Sequence, residues 1–415
     1  MSLNKKQRLQ ILSTVRKRVL GNHFNVAGID YTNWSKVFDD RSAGLVDGDL
    51  PQFEAGIQAL LQELQSSHTG FYNERPSRLF SQHTINATLA TFEDDADKRW
   101  YFLDVFEDGP AHKVGIKPGD VLHKVDGLAC LSPTQPPFRT GCTHVLSVSG
   151  ARGEDGREVS LVIPKVKGNK NLPPILPPKS IVHSVLSPGV GLVRITWFPG
   201  SMGLEFAQSL DAAIADLKAK NCERLIVDLR GNIGGGLGFA RLASYLCPGE
   251  VVIGYSVTPK RLRKGLRTAD LEHVRYPSSK LGFAKTLTRF ALRDKSIFLM
   301  TQGLGKQPFH GRTAILVNHW TNSAAEMLAS FASENKLATI IGAKTAGNVL
   351  GAVNFKAGAG YFLRLPIFGW YTTKGNCVEG NGVIPDLAVG VDPYRLNAGV
   401  DEQMIAANEL VSSLP

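Results

Sequence analysis

Long apolar runs are missing from this 415-residue chain. No stretch reaches the roughly 18 consecutive apolar residues that a membrane-spanning helix needs, so no span is expected. The first twenty residues, MSLNKKQRLQILSTVRKRVL, carry positive charge without the apolar segment of an export signal. A cytoplasmic location is therefore expected, or a periplasmic or otherwise exported one if a leader has been removed. Cysteine is scarce: Cys130, Cys142, Cys222, Cys247 and Cys377 are odd in number, widely spaced and free of any CxxC. That argues against a dense disulfide framework and against a cysteine zinc site. No HExxH and no clustered His/carboxylate spacing occurs, so neither a metal nor another cofactor is expected. Internal repeats are absent as well.

What is there is the composition of a folded protein, 43% hydrophobic and 20% charged. The length suggests two or three domains, each able to bury its own core. The net charge is +10. Basic residues thicken only at Lys260-Arg261-Leu262-Arg263-Lys264, with Arg267 just after. No zinc-finger spacing, RNP-type signature or basic heptad accompanies the run, so it reads as a solvated basic loop and no nucleic-acid partner is expected.

Periodicity divides the chain. In residues 1–84, Leu9, Ile11, Leu12, Val15, Val19 and Leu20 recur at helical spacing, as do Phe53, Ile57, Leu60, Leu61 and Leu64. A Gly- and Asp-rich connection around Asp40 to Asp49 separates them, which predicts a small helical cap. Residues 85–165 hold short apolar or alternating runs cut by Asp108-Gly109-Pro110, Lys117-Pro118-Gly119-Asp120 and Asp126-Gly127, the pattern of a compact β-rich module. A proline-rich linker covers 166–180. Residues 181–415 alternate strand and helix, with strands at 191–196, 225–229, 314–318 and 338–341 and helices at 202–218, 238–246 and 324–335. That rhythm is α/β.

Two strand ends in this last region carry chemistry. The first is Leu225-Ile-Val-Asp-Leu-Arg-Gly-Asn-Ile-Gly-Gly-Gly236, a buried strand running into a glycine turn. Walker chemistry needs Lys-Ser/Thr after the glycines, and here Leu237 and Gly238 follow; GxGxxG is absent too. An oxyanion cradle of N–H groups from Gly234 and Gly235 and a plain tight turn both fit. The second is Ala314-Ile-Leu-Val-Asn-His-Trp-Thr-Asn-Ser-Ala-Ala-Glu326, a strand, a polar turn and a helix. Ser323 stands at the helix start, where free N–H groups, that of Ala324 among them, can hold an oxyanion. The same Ser323 and Glu326 spell a capping box that needs no catalysis.

These segments resemble the tail-specific, or C-terminal processing, serine protease family. Val227-Asp-Leu-Arg-Gly-Asn-Ile-Gly-Gly235 is similar to its D-L-R-x-N-P-G-G signature, with Ile233 in place of proline. Leu316 to Glu326 is similar to its nucleophile segment, and Gly342-Ala-Lys-Thr-Ala-Gly347 to its G-x-x-T-x-G. The run from Gly109 to Gly127 resembles a PDZ domain. The resemblance implies a crotonase-like α/β protease core with an inserted PDZ-like domain, and Ser323 as nucleophile. Where the tail-specific branch has its base lysine after T-F-G, this chain has Asn348; Lys344 lies near in sequence but off the motif.

Another base is available. Leu64-Gln-Ser-Ser-His-Thr-Gly-Phe-Tyr72 resembles the histidine element of the tricorn-like branch, and Val378-Glu-Gly-Asn-Gly-Val-Ile-Pro-Asp386 resembles its glutamate segment. The resemblance implies a relay in which His68 takes the proton from Ser323, Ser67 accepts from His68, and Glu379 orients Ser67. Imidazole suits the task because its ordinary pKa lies nearest neutrality. Read alone, His68 also fits a helix C-terminal cap, His83 competes with it, and Glu379 fits a solvated turn. The implied function is a serine endopeptidase acting on unfolded or C-terminal polypeptide segments, tethered in part through the PDZ-like module. That module has Asp97-Lys98-Arg99-Trp100 where a carboxylate-binding loop is expected. The alternatives are a catalytically inactive binding protein on the same fold, a peptide-binding scaffold, and a Ser-Lys enzyme using Lys344.

Overall fold

The computed structural model describes residues 3–73, 81–94, 97–131, 136, 138–165, 175–277, 279–304, 309 and 313–413. The chain starts with three helices cut by side-chain caps. Asn4 accepts from Gln7 N–H at the start of α1 (Lys5–Asn22), Asp30 opens α2 (Tyr31–Asp47), and Asp49 opens α3 (Leu50–Gln62). Their inner faces, among them Ile11, Val15, Trp34, Phe38, Phe53 and Ile57, form one apolar cluster. The expected connection at Asp40–Asp49 is corrected: the chain stays helical to Asp47, because Trp34, Phe38 and Val46 are buried from one helix, and only Gly48 and Asp49 break it. A turn at 66–69 then leads into the short strand β1 (Gly70–Asn73).

The second region is a sheet of β2 (Ala87–Asp94), β3 (Asp97–Val105), β4 (Val121–Val125), β5 (Leu128–Ala129), β6 (Thr143–Ser149) and β7 (Arg157–Val162), with the one-turn α4 (Pro110–Lys113) between β3 and β4. The order is β2-β3-β4-β6-β7, with β5 paired to β4. Phe102, Leu122, Leu146 and Leu161 centre its core. Asp97 to Trp100, expected as a loop, belongs to β3 and pairs back onto β2 in a hairpin. Alternation of Trp100 and Phe102 into the core explains why the strand begins so early. Of the expected linker at 166–180, residues 166–174 lie outside the described residues. Beyond them, Ile175 O accepts from Asn86 and Lys179 pairs with Glu107 at 2.6 Å, so this stretch is tied to the β-rich region.

The remainder holds β8 (Ile181–Ser187), β9 (Val190–Ile195), α5 (Leu204–Ala219), β10 (Arg224–Asp228), α6 (Phe239–Leu246), β11 (Val252–Val257), α7 (Pro259–Arg263), β12 (Glu272–Arg275), α8 (Lys280–Leu292), β13 (Ile297–Met300), β14 (Thr313–Val317), α9 (Ala324–Glu334), β15 (Thr339–Gly342), β16 (Gly351–Gly358), β17 (Tyr361–Tyr371), β18 (Leu387–Ala388), α10 (Pro393–Asn397) and α11 (Glu402–Ser413). One sheet runs β18-β15-β14-β10-β9-β8 and is parallel except for β8. Its strands are nearly continuous apolar runs, as burial on both faces requires. The other runs β1-β17-β11-β13-β12, with β16 on the far side of β17. The basic run at 260–264, expected as a loop, is mostly the short α7, capped by Thr258; Lys260 and Arg263 are exposed.

Two consequences bear on function. Strands β10 and β14 are parallel neighbours, so the turns leaving their carboxyl ends lie side by side, where parallel sheets bind ligands. And β17 receives β1, which brings the turn at 66–69 back onto the α/β region.

Candidate active site

Ser323 lies where the turn after β14 becomes α9, with φ 55° and ψ −117°. Few residues other than glycine adopt such a backbone, which calls for firm support from the surroundings. Asn322 N–H donates to Asn232 O at 2.8 Å, and Thr321 Oγ1 donates to Leu229 O at 2.9 Å. Asn232, fully buried, donates to Ile195 O at 2.8 Å and so holds the glycine turn to β9. The serine turn and the glycine turn are thus sewn together.

The glycines matter by what they lack. A Cβ on Gly234, whose φ is +82°, would sit 2.6 Å from Ser323 Cβ and 3.1 Å from Ala324 N. Gly234 was expected as an oxyanion donor, but its N–H is already given to Asn232 Oδ1 at 2.8 Å. Its contribution is the space beside the serine. Among the described residues, the N–H groups of Gly235 and Ala324 have no hydrogen-bond partner. They remain available for developing negative charge.

Glu326, fully buried, is more than half of a cap. It accepts from Ser323 N–H (3.0 Å), Thr345 Oγ1 (2.6 Å), Gly347 N–H (2.6 Å) and Asn348 N–H (2.9 Å). Burial pushes its carboxyl above the ordinary range, and these donors pull the other way. Asn348 also donates through Nδ2 to Asn322 Oδ1 at 2.9 Å. Lys344, by contrast, is exposed.

His68 stands in the 66–69 turn with φ 58°. Its Nδ1 is 2.7 Å from Ser67 Oγ, and Ser67 Oγ donates to Glu379 Oε2 at 2.9 Å. Ser67 N–H donates to Glu379 Oε1 at 2.8 Å, and Val349 N–H to Oε2 at 2.7 Å. Because Ser67 spends its hydroxyl proton on the carboxylate, it must accept from His68 Nδ1–H. That leaves the lone pair on Nε2. Burial first, and the Arg364 charge second, push the imidazole down to about 3, so the ring is neutral near pH 7. Burial also raises the Glu379 carboxyl. Ser67, His68 and Glu379 are therefore brought together, and Glu379 is joined to Ser323 by the loop 345–349. No hydrogen bond links Ser323 Oγ to His68 in this structure.

His83 has no such relay: its Nδ1 is buried without a partner. His23 supports the 66–69 turn instead, with Nδ1 2.8 Å from Tyr31 OH and Nε2 2.8 Å from Ser66 Oγ.

Sequence reading missed the residues that join the β-rich region to the site. Asp104 Oδ2 accepts from Asn318 Nδ2 at 3.0 Å, and Asn318 Oδ1 accepts from Gly231 N–H and Trp320 N–H, both at 3.0 Å. Trp320 Nε1 donates to Leu89 O at 3.0 Å, and Gln82 Nε2 to Gly231 O at 2.6 Å. Asn318 falls inside the serine motif and was open to notice there; Asp104 and Gln82 carry no local signal. Among the described residues, no group of three or more His, Cys, Asp or Glu could hold a metal, and no helix is long and apolar enough to cross a membrane.

Residues 189–389 match the family model described as Peptidase family S41. Among the chain's particular relatives are carboxy-terminal processing protease CtpA of Bacillus subtilis, 23% identical over 368 residues, and a CtpA-like serine protease of Staphylococcus haemolyticus, 24% identical over 348 residues. These alignments cover 87% and 82% of this chain, which spans only 66% and 61% of those relatives. In fold the chain is similar to a photosystem II D1 C-terminal processing protease (TM-score 0.52, 18% identity, 93% of each chain). It is also similar to mature CPAF complexed with lactacystin (TM-score 0.58, 15% identity, 98% of each chain).

Proposed function

We propose that this protein is a serine endopeptidase that hydrolyses peptide bonds in unfolded or carboxy-terminal protein segments. The carrying observation is the Glu379–Ser67–His68 chain of hydrogen bonds, which fixes the tautomer and turns a lone pair outward. In the first step His68 Nε2 takes the Ser323 hydroxyl proton as Oγ bonds to the substrate carbonyl carbon. The resulting oxyanion is held by the N–H groups of Gly235 and Ala324. The imidazolium returns that proton to the departing amine as the C–N bond breaks, leaving an ester on Ser323. Water, deprotonated by the same imidazole, then releases the acid and regenerates the hydroxyl. Closing the gap between His68 and Ser323 is part of productive substrate binding, since apo hydrogen bonds at such sites are often long. The core is read as crotonase-like and the β-rich region as PDZ-like, a wall beside the site for an extended polypeptide.

A second reading, a binding protein on the same fold, draws on the missing Ser323–His68 hydrogen bond and on Asn348 and Ile233. One experiment separates the two. The wild type is expected to cleave an unstructured polypeptide and to take up a fluorophosphonate on Ser323. The Ser323→Ala variant should lose cleavage by about 10⁴-fold or more. Equal cleavage by both proteins, or a wild type that neither cleaves nor labels, overturns the peptidase reading.

A further inference from the structure

On β17, Leu363 and Leu365 face the helical cap and join its apolar cluster. The intervening Arg364 therefore projects from the opposite face. Its neighbours across the strands are Gly70 of β1 and Asn354 of β16, and two pairs further on Tyr72 stacks on Phe362 at 5.9 Å between centroids. Gly70 lies two residues after His68. The Arg364 charge is felt by both His68 and His83, and opposes protonation of each. His83 in turn adjoins Gln82, which is bonded to Gly231 of the glycine turn. The register with Gly70 and the charge felt at His68 and His83 thus put this guanidinium beside the imidazole turn.

The guanidinium is poorly provided for. Among the described residues its hydrogen bonding is a single contact to Asn354 Oδ1 at 3.5 Å, with no carboxylate in ion-pair range and no aromatic face beneath it. Burial lowers its proton affinity, and only Tyr72 acts to restore it. By contrast, the buried Arg230 is held by Asp228 and Asp401, both within 3 Å. Arg364 is half-buried, and a half-buried cation without a counter-charge contributes little to stability.

We infer that Arg364 is a specificity residue that receives a carboxylate of the substrate, supplied by an acidic side chain near the scissile bond or by the free C-terminus. Guanidinium is built for this, offering paired N–H donors to both oxygens. The inference rests on the peptidase reading and adds a coupling to it. A bound carboxylate offsets the Arg364 charge beside His68, so the correct substrate makes its own base more basic.

The test uses internally quenched peptides built on one sequence that the wild type cleaves. Asp, Ala and Lys are placed in turn at each position flanking the bond, with the C-terminus free or amidated. The wild type should favour one carboxylate-bearing peptide by about 30-fold or more in kcat/KM over its neutral counterpart. A side-chain preference independent of amidation identifies an acidic residue; a preference lost on amidation identifies the C-terminus. Arg364→Gln should collapse that ratio towards one, and Arg364→Glu should reverse it in favour of Lys. Circular dichroism and fluorophosphonate labelling of each variant establish that the fold and Ser323 survive. No carboxylate preference in the wild type, or a preference unchanged in Arg364→Gln, overturns the inference while leaving the peptidase reading intact. If the wild type cleaves no peptide, the peptidase reading falls. Binding of labelled acidic and amidated peptides to Ser323→Ala then decides the Arg364 site alone, equal affinities counting against it.

Discussion

Glu326 and Glu379 grip adjacent peptides of one loop: the N–H of Asn348 donates to Glu326 at 2.9 Å, and the N–H of Val349 to Glu379 at 2.7 Å. One carboxylate holds the backbone of Ser323 and the other holds Ser67. Ser323 and the Ser67–His68 turn are therefore registered to each other through a single peptide step.

Replacing Glu326 by Gln should break that registration. A side-chain NH₂ would face N–H donors that now point at an oxygen, inside a fully buried site. The expected cost is about 2–4 kcal/mol of stability, measured by urea unfolding, because buried donors lose their acceptor. Cleavage and serine labelling should fall together. A variant as stable and active as the wild type would show Glu326 to be only an ordinary helix cap.

Gly234→Ala tests the space beside the serine. The added carbon would meet Ser323 Cβ at 2.6 Å and Asn322 O at 2.9 Å, on a backbone with φ +82°. Something must move, and the movable part is the Ser323 turn. A loss of about 10²-fold in kcat is expected, since misplacement by about 1 Å suffices for that. Steady-state kinetics with a quenched peptide reads it directly.

The base assignment divides His68 from Lys344. His68→Gln should lower kcat by about 10⁴-fold or more, as loss of a general base acting with the nucleophile does. Lys344→Met should stay within about twofold, because Lys344 is exposed and takes no part in the hydrogen bonds around Ser323. The reverse pattern would move the chemistry to a Ser-Lys mechanism.

Acid should destabilise the fold through its histidines. Burial pushes His23, His68 and His83 down to about 4, 3 and 4. The unfolded chain titrates near 6.5, so it binds more protons than the native state between about pH 6.5 and 3–4. Their stabilisation is complete above about 6.5 and is lost as pH falls through that window. Glu326 and Glu379, raised by burial, contribute with the opposite slope above their unfolded value. Comparison with a single variant isolates one group. Between pH 7 and 5 the wild type should lose roughly 1–2 kcal/mol more than His83→Gln, followed by urea unfolding. Parallel losses would mean that His83 titrates as it does in water.

Much of this architecture was legible in the chain. The apolar strands at 225–229 and 314–318 announce a parallel sheet, since only burial on both faces tolerates such runs. The short motifs around Ser67, Ser323 and Glu379 pointed to residues that the fold brings into one neighbourhood. What the sequence hid was long-range. Asp40–Asp47 reads as a connection until Trp34 and Phe38 are seen to bury that helix. Gly234 reads as an N–H donor until Asn232 is seen to occupy it. Arg364 reads as one polar residue in an apolar strand, because nothing local says which face of β17 it takes.

The contact between Asp104 and Asn318 carries a lesson for engineering. Together with Trp320 and Leu89, it makes the β-rich region a structural support of the Ser323 turn rather than an attached cassette. Excising or exchanging residues 85–165 would strip the serine turn of its bracing even if both halves folded. A chimaera built on this chain must carry Leu89 and Asp104 across with the graft, or rebuild their grip from the recipient's own strands.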